Sequence, residues 1–143
     1  MPSDLTLRAM NAIHRTLLTV SGGRIGWVAW DMPVLELTTR GRRTGRARSV
    51  MLTSPLQEGT TLVVVASRGG DDKPPAWLLN LQETPEVRVR LHGQTTTGMR
   101  ARVATAGERD LLWPRVVADH RNYAAYQSRT TREIALVLLE PED

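Results

Sequence analysis

Two neighbouring segments of the chain alternate between apolar and polar side chains, and a short stretch bounded by glycines separates them. A period of two is the period of a β-strand with one buried and one exposed face. The apolar positions are Val87, Val89, Leu91, Met99, Ala101 and Val103. The two segments therefore predict a pair of half-buried antiparallel strands joined by the connection at 93–98, and the fold has to contain a sheet.

Four further segments have the composition of short strands. They span residues 34–40, 49–54, 61–67 and 133–139. The third of them is almost wholly apolar, which indicates a strand buried on both faces. Helical spacing is restricted to residues 4–20, 76–82, 105–117 and 121–129. Pro114 is expected to kink or divide the third helical segment.

About six short antiparallel strands, with no regular alternation of strand and helix, predict a mainly β, α+β fold. A small closed or half-closed β-barrel suits such strands, because closure removes free strand edges. The N-terminal helix and the other helical segments would flank the barrel. At 143 residues the chain has room for one compact unit, so we expect residues 1–143 to form a single domain.

The composition excludes several classes of protein. The chain has no cysteine, which excludes disulfide frameworks, thiolate metal sites and cysteine nucleophiles, and fits a reducing cytosol. It has no P-loop, no dinucleotide-binding glycine motif, no nucleophile elbow and no histidine pair at metal-ligand spacing. Charged residues interrupt the apolar N-terminal segment, so neither a signal peptide nor a transmembrane helix is expected there. The sequence predicts a soluble cytoplasmic protein without a metal site.

Basic residues are concentrated between two of the predicted strands. The net charge is only +4, yet residues 40–48, called the arginine hairpin below, contain five arginines and no acid. These are Arg40, Arg42, Arg43, Arg46 and Arg48. The two glycines of the segment let backbone approach a ligand, and guanidinium groups bind phosphate or carboxylate through paired hydrogen bonds. The segment is either an anion clamp or a solvated basic turn, and its composition favours neither.

Two later segments offer further candidates for a binding site. Ser67 and Arg68 precede a glycine pair at the end of an apolar strand, where a turn would present a hydroxyl, N–H groups and a cation. Trp77 and Asn80 are three residues apart on one face of a predicted helix and would flank a planar ring. Taken alone, a plain turn and a core tryptophan are the better interpretations.

A third candidate is a group of rings with polar tips near the end of the chain. His120, Tyr123 and Tyr126 are spaced by three, so their side chains point to one side of a helical segment. Such a face can orient or protonate a substrate. Without further context, the packing surface of an amphipathic helix is the favoured interpretation.

Taken in order, three of these segments resemble the deazaflavin-dependent nitroreductase family. They are residues 37–48 (LTTRGRRTGRAR), 67–70 (SRGG) and 75–81 (PAWLLNL). The similarity continues through Trp113-Pro114, Tyr123, Tyr126-Gln127 and the closing Leu139-Glu140-Pro141. It therefore covers residues 33–141 and leaves 1–30 as an N-terminal helix and lead-in. The resemblance implies a split β-barrel related to FMN-binding barrels.

The resemblance also implies a cofactor, the deazaflavin coenzyme F420. Arg42, Arg43 and Arg48 would hold its phosphate and acidic tail, and Ser67 and Arg68 would lie along the binding groove. The residues nearer the ring system would be Ala76, Trp77 and Asn80. This coenzyme carries a phosphodiester and a chain of glutamates, which several guanidinium groups can neutralise. FMN has one phosphate and would need fewer arginines, so F420 is favoured over FMN.

By the same resemblance the protein is an oxidoreductase that transfers a hydride from reduced F420 to a small-molecule acceptor. The acceptor would be a quinone, a nitro compound or an activated alkene. The coenzyme supplies the hydride, so the protein has to position the two reactants and provide a proton. Tyr126 and Tyr123 are the first candidates for the second task, followed by Ser67 and His120.

Two other functions remain open. The barrel could bind a deazaflavin, or another amphipathic ligand, without turnover. It could also bind nucleic acid through the arginine hairpin, but the aromatic stacking platform expected for single strands is missing nearby. No nucleic-acid partner is therefore predicted.

The N-terminal helix and the tryptophans that follow it have two interpretations. Trp27 and Trp30 could help that helix close over an apolar acceptor or touch a membrane surface, where quinones reside. Packing in the core is the favoured interpretation. The sequence does not decide the oligomeric state, and a homodimer is compatible with it.

Overall fold

The computed structural model describes residues 28–29 and 32–142. The N-terminal helix predicted at 4–20, with Trp27 and Trp30, lies outside the described residues. The strands are β1 (Val28–Ala29), β2 (Met32–Arg40), β3 (Ala47–Thr53), β4 (Leu56–Glu58), β5 (Thr61–Val65), β6 (Glu86–Leu91), β7 (Thr97–Val103) and β8 (Leu136–Pro141). The helices are α1 (Ala76–Glu83), α2 (Ala106–Asp119) and α3 (Asn122–Ser128), and a 3₁₀ turn spans Arg68–Gly70.

All strand pairs among the described residues are antiparallel and belong to one sheet. Its order is β1-β2-β6-β7-β8-β5-β4, and β3 also pairs with β2. The longest ladder joins β2 to β3, from Val34 opposite Thr53 to Arg40 opposite Ala47. The sheet curls into a half-barrel flanked by helices, which confirms the predicted mainly β, α+β barrel class.

Six of the eight strands in the described part of the chain correspond to the predicted ones. β1 and β4 were not predicted, because strands of two and three residues are too short to show a period of two. Pro114 does not divide its helix, since α2 runs unbroken through it. The proline is exposed, so water can bond the carbonyl group that it leaves free. The last strand extends beyond the predicted segment, residues 133–139, to Pro141, which pairs with Met99 of β7.

The inner face of the half-barrel encloses the larger of two hydrophobic cores. Strand side chains in it include Leu35, Leu37, Leu62, Val64, Val87, Val89, Met99, Ala101, Val137 and Leu139. α1 adds Trp77, Leu78 and Leu81 to this core. The apolar positions of β6 and β7 point inward, as their period of two predicts.

α2 and α3 cover a second core on the outer face of β5 and β8. Its buried members are Met32, Val63, Val65, Val116, Tyr123, Ile134, Leu136 and Leu138. β5 and β8 are thus buried on both faces, which explains why their sequences are continuous apolar runs rather than alternating ones.

Candidate functional site

The arginine hairpin is a tight turn between β2 and β3. The N–H of Gly41 donates to the Arg46 carbonyl oxygen at 2.8 Å, and the N–H of Gly45 donates to the Gly41 carbonyl oxygen at 2.8 Å. Gly45 has a φ of 72°, which favours glycine. A Cβ on Gly41 would lie 3.1 Å from the Arg46 carbonyl oxygen. The two glycines therefore let the chain turn tightly, and residues 42–48 between and after them are exposed.

A cavity of about 700 Å³ lies between the hairpin, β3 and α1. Its volume is in the usual range of small-molecule pockets. Six of the eight residues that the resemblance assigns to the coenzyme line this cavity: Arg42, Arg43, Arg48, Ala76, Trp77 and Asn80. The fold thus brings together residues from two distant segments of the sequence. The other two, Ser67 and Arg68, do not line it.

Asn80 of α1 connects the helix to the hairpin. Its side chain is 4% exposed, and its Nδ2 donates to Thr39 Oγ1 at 3.1 Å. Its Oδ1 accepts from the backbone N–H of Arg42 at 3.1 Å and from Arg42 Nη1 at 3.4 Å. Asn80 therefore orients an arginine of the cavity, in addition to lining the cavity itself.

The guanidinium groups around the cavity have no acidic partner among the described residues. Salt bridges within residues 32–142 involve Arg68, Arg90, Arg100, Arg102, Arg109 and Arg115. None of them involves Arg42, Arg43 or Arg48. Cations without counter-charge in a concave site attract anions and bind phosphate or carboxylate oxygens. The donors present here fit the phosphodiester and glutamates of a deazaflavin coenzyme.

The turn after β5 packs against α3 rather than into the cavity. Ser67 is 9% exposed, and its carbonyl oxygen accepts from the N–H of Gly70 at 2.9 Å. A Cβ on Gly70 would lie only 2.6 Å from the Tyr126 carbonyl oxygen. Arg68, with a left-handed φ of 46°, forms a 2.8 Å salt bridge with Asp71. The two residues predicted along the groove are thus next to α3.

The rings predicted to share one helical face form an aromatic cluster at α3. The Tyr123 ring centroid lies 6.4 Å from that of His120 and 6.0 Å from that of Tyr126, both edge-to-face. The Tyr123 hydroxyl shares a 3.2 Å hydrogen bond with Thr53 and lies 3.7 Å from the sulfur of Met32. Burial raises the pKa of Tyr123. Tyr126 is half-buried, and its hydroxyl has no hydrogen-bond partner in the part of the chain that the structure describes.

β3 connects the cavity to the aromatic cluster. Arg48, near the start of the strand, lines the cavity, and Thr53, at its end, contacts Tyr123. Five residues of strand correspond to about 17 Å. Because an odd number of positions separates them, the two side chains lie on opposite faces of the strand. The predicted catalytic residues Tyr123, Tyr126 and His120 therefore do not line the cavity that the predicted coenzyme residues share.

Three polar residues that shape these sites were not predicted from the sequence. Thr39 is 2% exposed and bonded to Asn80, and extending the alternation of β2 would have placed it on the inner face. Thr53 lies on the strand that was predicted, but its tyrosine partner is 70 residues away. Arg132 gives no local signal at all, because the carbonyl groups that it bonds lie 61 to 66 residues earlier.

Among the described residues, no group of three or more His, Cys, Asp or Glu side chains could hold a metal ion. No helix in the same part of the chain has both the length and the apolar character needed to cross a bilayer.

Comparisons with known proteins identify a family. A model of the F420H(2)-dependent quinone reductase family matches residues 8–141. A relative, the F420H(2)-dependent quinone reductase of Mycobacterium tuberculosis, is 36% identical over 137 residues, which cover 93% of this chain and 88% of the relative.

Solved structures with the same fold differ in their sequence identity to this chain. An F420-H2 dependent reductase, 34% identical, has a TM-score of 0.65 and covers 76% of this chain and 94% of its own. A domain-swapped dimer, 29% identical, has a TM-score of 0.69, and the match covers 93% of this chain and 97% of that chain. A pyridoxamine 5′-phosphate oxidase-related, FMN binding protein of Nostoc punctiforme shares the split-barrel fold at 14% identity, with a TM-score of 0.52 over 91% and 78% of the two chains. The match to the family model and the 36% identity to its M. tuberculosis relative show that this chain belongs to the F420H(2)-dependent quinone reductase family.

Proposed function

We propose that this protein transfers a hydride from reduced F420 to a quinone, and that the arginine hairpin holds the anionic chain of the coenzyme. The observation that carries the proposal is a set of guanidinium groups around a cavity of about 700 Å³ that have no acidic partner among the described residues. Membership of the family supports the reaction. When bound, the reduced deazaflavin supplies the hydride, and the residues of the chain bind, orient and protonate.

Arg42 is the best-oriented member of the clamp. Two of its N–H groups, one from the backbone and one from the side chain, already bond Asn80. A guanidinium group held in this way loses less conformational freedom when it binds an anion. Arg43 and Arg48 line the same cavity and supply further cations for a phosphodiester and several carboxylates.

The apolar side of the cavity suits the ring system. Trp77 lines the cavity while its side chain is 7% exposed, so it is fixed in the inner core. Val50 of β3 and Ala76 of α1 complete this side. A planar ring can pack against these apolar groups while the charged chain extends towards the hairpin.

The acceptor would meet the coenzyme near α3, at the other end of β3. A quinone that receives a hydride needs one proton to become a quinol. Tyr126 has a hydroxyl with no partner among the described residues, whereas the hydroxyl of Tyr123 is bonded to Thr53. We therefore assign the proton to Tyr126 first and a supporting role to Tyr123. Ser67 and His120 are secondary candidates, since Ser67 is buried in its turn and His120 packs on Tyr123.

A homodimer is the oligomeric state that we propose. The domain-swapped dimer among the structural neighbours supports it, since the match covers 97% of that chain. Light scattering coupled to size exclusion would then give about twice 15.9 kDa. Nitro compounds and activated alkenes stay secondary acceptor classes that the resemblance alone suggests.

The test is a titration of the purified protein with F420 and with FMN, side by side. F420 should bind more tightly, and added salt should weaken its binding because the main contacts join opposite charges. A soluble naphthoquinone is then added, without oxygen, to the complex with reduced F420, and the absorbance of the oxidised coenzyme is followed. The absorbance of oxidised F420 should rise faster than in a control without protein. Binding without reoxidation would indicate a carrier, and tighter binding of FMN would reject the clamp.

A further inference from the structure

Arg132 lies between α3 and β8, and its guanidinium group bonds three backbone carbonyl groups of one turn. Nε donates to the carbonyl oxygen of Asp71 at 2.9 Å, Nη1 to that of Ala66 at 3.2 Å and Nη2 to that of Ser67 at 2.9 Å. These carbonyl groups surround the turn that carries Ser67 and Arg68. A planar guanidinium group can bridge acceptors at fixed angles, whereas an ammonium group is a single point with three rotatable donors.

The backbone of Arg132 is itself attached to α3. Gln127 Nε2 donates to the Arg132 carbonyl oxygen at 2.7 Å. Gln127 Oε1 accepts from the N–H of Ile134 at 2.9 Å and from Arg109 Nη2 at 3.2 Å. One end of Arg132 is therefore fixed on α3, and the other end holds the turn.

Two further contacts join the same turn to α3. The missing side chain of Gly70 lets the turn approach the backbone of Tyr126, where a Cβ would lie at 2.6 Å. Arg129 Nη1 donates to the Gly69 carbonyl oxygen at 3.3 Å, and the Arg129 guanidinium lies 5.5 Å from the centroid of the Tyr126 ring. The turn and α3 thus form one unit, with Arg132 making the most hydrogen bonds across it.

We infer that Arg132 is a positioning residue for hydride transfer, which fixes the Ser67–Asp71 turn relative to Tyr126. This inference rests on the proposed function, in which the acceptor binds near α3, the helix against which the turn packs. Transfer between two reactants depends steeply on their distance and angle. Arg132 acts through the turn, because Nε, Nη1 and Nη2 of its guanidinium group all donate to backbone carbonyl groups.

The informative variant is Arg132→Lys, which keeps the charge but loses the planar fork. Arg102→Lys is its matched control. Arg102 also donates three hydrogen bonds, from Nε to Glu140 at 2.7 Å and from Nη1 and Nη2 to Glu108 at 2.6 and 2.8 Å. These acceptors are partly exposed side chains of β8 and α2, and neither belongs to the turn. Both variants lose an arginine fork, so a general loss of stability affects both.

The first measurement is amide hydrogen exchange in the protein without coenzyme. The N–H groups of Gly70 and Asp71 bond within the turn, to Ser67 at 2.9 Å and to Arg68 at 3.2 Å. Exchange at these two amides should accelerate in Arg132→Lys and stay at the wild-type rate in Arg102→Lys. Wild-type exchange in Arg132→Lys would overturn the inference, whether or not the protein is active.

The second measurement is the single-turnover rate of hydride transfer from saturating reduced F420 to a naphthoquinone. Arg132→Lys should lower this rate by about 10- to 100-fold, with coenzyme affinity close to wild type, because a misplaced turn changes the geometry of transfer. Arg132→Ala should regain part of the rate when guanidinium ion is added below the concentration that unfolds the protein. A wild-type rate in Arg132→Lys would overturn the inference. No transfer by the wild-type protein would instead reject the proposed function.

Discussion

Asn80 is the residue at which the hairpin and α1 meet. The spacing of Trp77 and Asn80 allowed both to flank a ring, although a core tryptophan was the favoured interpretation, and both line the cavity. The spacing did not predict that the Asn80 amide would bond Thr39 and Arg42, because those partners are 41 and 38 residues away. The orientation of the clamp therefore depends on a pairing that only the folded chain creates.

Arg42→Ala and Arg48→Ala should each weaken F420 binding. Loss of one charged hydrogen bond costs about 1.5 to 3 kcal/mol, which corresponds to roughly a 10- to 100-fold higher Kd. Arg100→Ala is the control, since Arg100 bonds Glu86 on β6 and does not line the cavity. Isothermal titration calorimetry measures all three. If both hairpin variants bind like wild type, the clamp assignment is wrong.

Tyr126→Phe should lower turnover and leave F420 affinity and the melting temperature nearly unchanged. The reason is that the Tyr126 hydroxyl has no hydrogen-bond partner among the described residues, so its removal breaks no hydrogen bond within that part of the chain. Tyr123→Phe should lower the melting temperature as well, because it leaves Thr53 without its 3.2 Å partner. Steady-state kinetics and thermal unfolding separate the two effects. Loss of F420 binding in Tyr126→Phe would contradict its place on the acceptor side.

Elements with a repeated local pattern were predictable from the sequence. β6 and β7 follow their alternation, and α2 begins at the capping box of Thr105 and Glu108 that the sequence contains. Contacts between elements were not predictable, because periodicity shows which face of a strand or helix is buried but not which other element covers that face. The packing of the Ser67 turn against α3 is one of these contacts, and Gly70 is the one residue of the sequence that indicates it.

Gly70→Ala should destabilise the protein more than Gly59→Ala does. Both glycines have a left-handed φ, 83° and 60°, which costs an alanine about 1 to 2 kcal/mol. At Gly59 nothing lies within 4 Å of the added Cβ, whereas at Gly70 it meets the Tyr126 carbonyl oxygen at 2.6 Å. Gly107→Ala, in open space on α2, should be neutral or stabilising by up to about 1 kcal/mol. Urea unfolding gives the free energy of unfolding of the three variants. Equal losses of this free energy at positions 59 and 70 would contradict the close packing of Gly70 against Tyr126.

Glu108 should make stability depend on pH in acid. Its hydrogen bonds from Arg102, and then from the Thr105 backbone, lower its pKa from 4.5 to about 2. The unfolded chain therefore binds the proton first, so this stabilisation is complete above about pH 5 and is lost as the pH falls through about 2. The melting temperature of wild type should approach that of Glu108→Gln over this range. At neutral pH, the difference in melting temperature between wild type and Glu108→Gln should become smaller in high salt, since the Arg102–Glu108 pair is partly exposed.

At the scale of the whole molecule, two cores share β5 and β8. The inner core positions α1 beside the hairpin, and the outer core positions α3 at the end of β3. The sequence predicted the barrel class and the apolar runs of both strands. It did not predict that the arginines and the tyrosines lie at opposite ends of one strand, because that depends on how β3 pairs with β2.

F420 should stabilise the whole fold against heat. A ligand that binds only the folded state adds about 2.7 kcal/mol at 100 times its Kd. The extra protection from hydrogen exchange should concentrate in β2, β3 and α1, which border the cavity, rather than in α2. Differential scanning calorimetry and hydrogen exchange test this together. Equal stabilisation by FMN at the same concentration would contradict the preference for a multiply charged ligand.

The bond of 3.1 Å from the Arg42 N–H to Asn80 makes the hairpin a poor unit for loop grafting. A chimera that receives residues 40–48 alone would carry the positive charges but not their support, because Asn80 and Thr39 would stay behind. Its arginines would sample many orientations, and affinity for the ligand would be low. A transplant that includes Thr39 and α1 would carry the binding geometry with it. The smallest transferable unit of this site is therefore a pair of segments about forty residues apart.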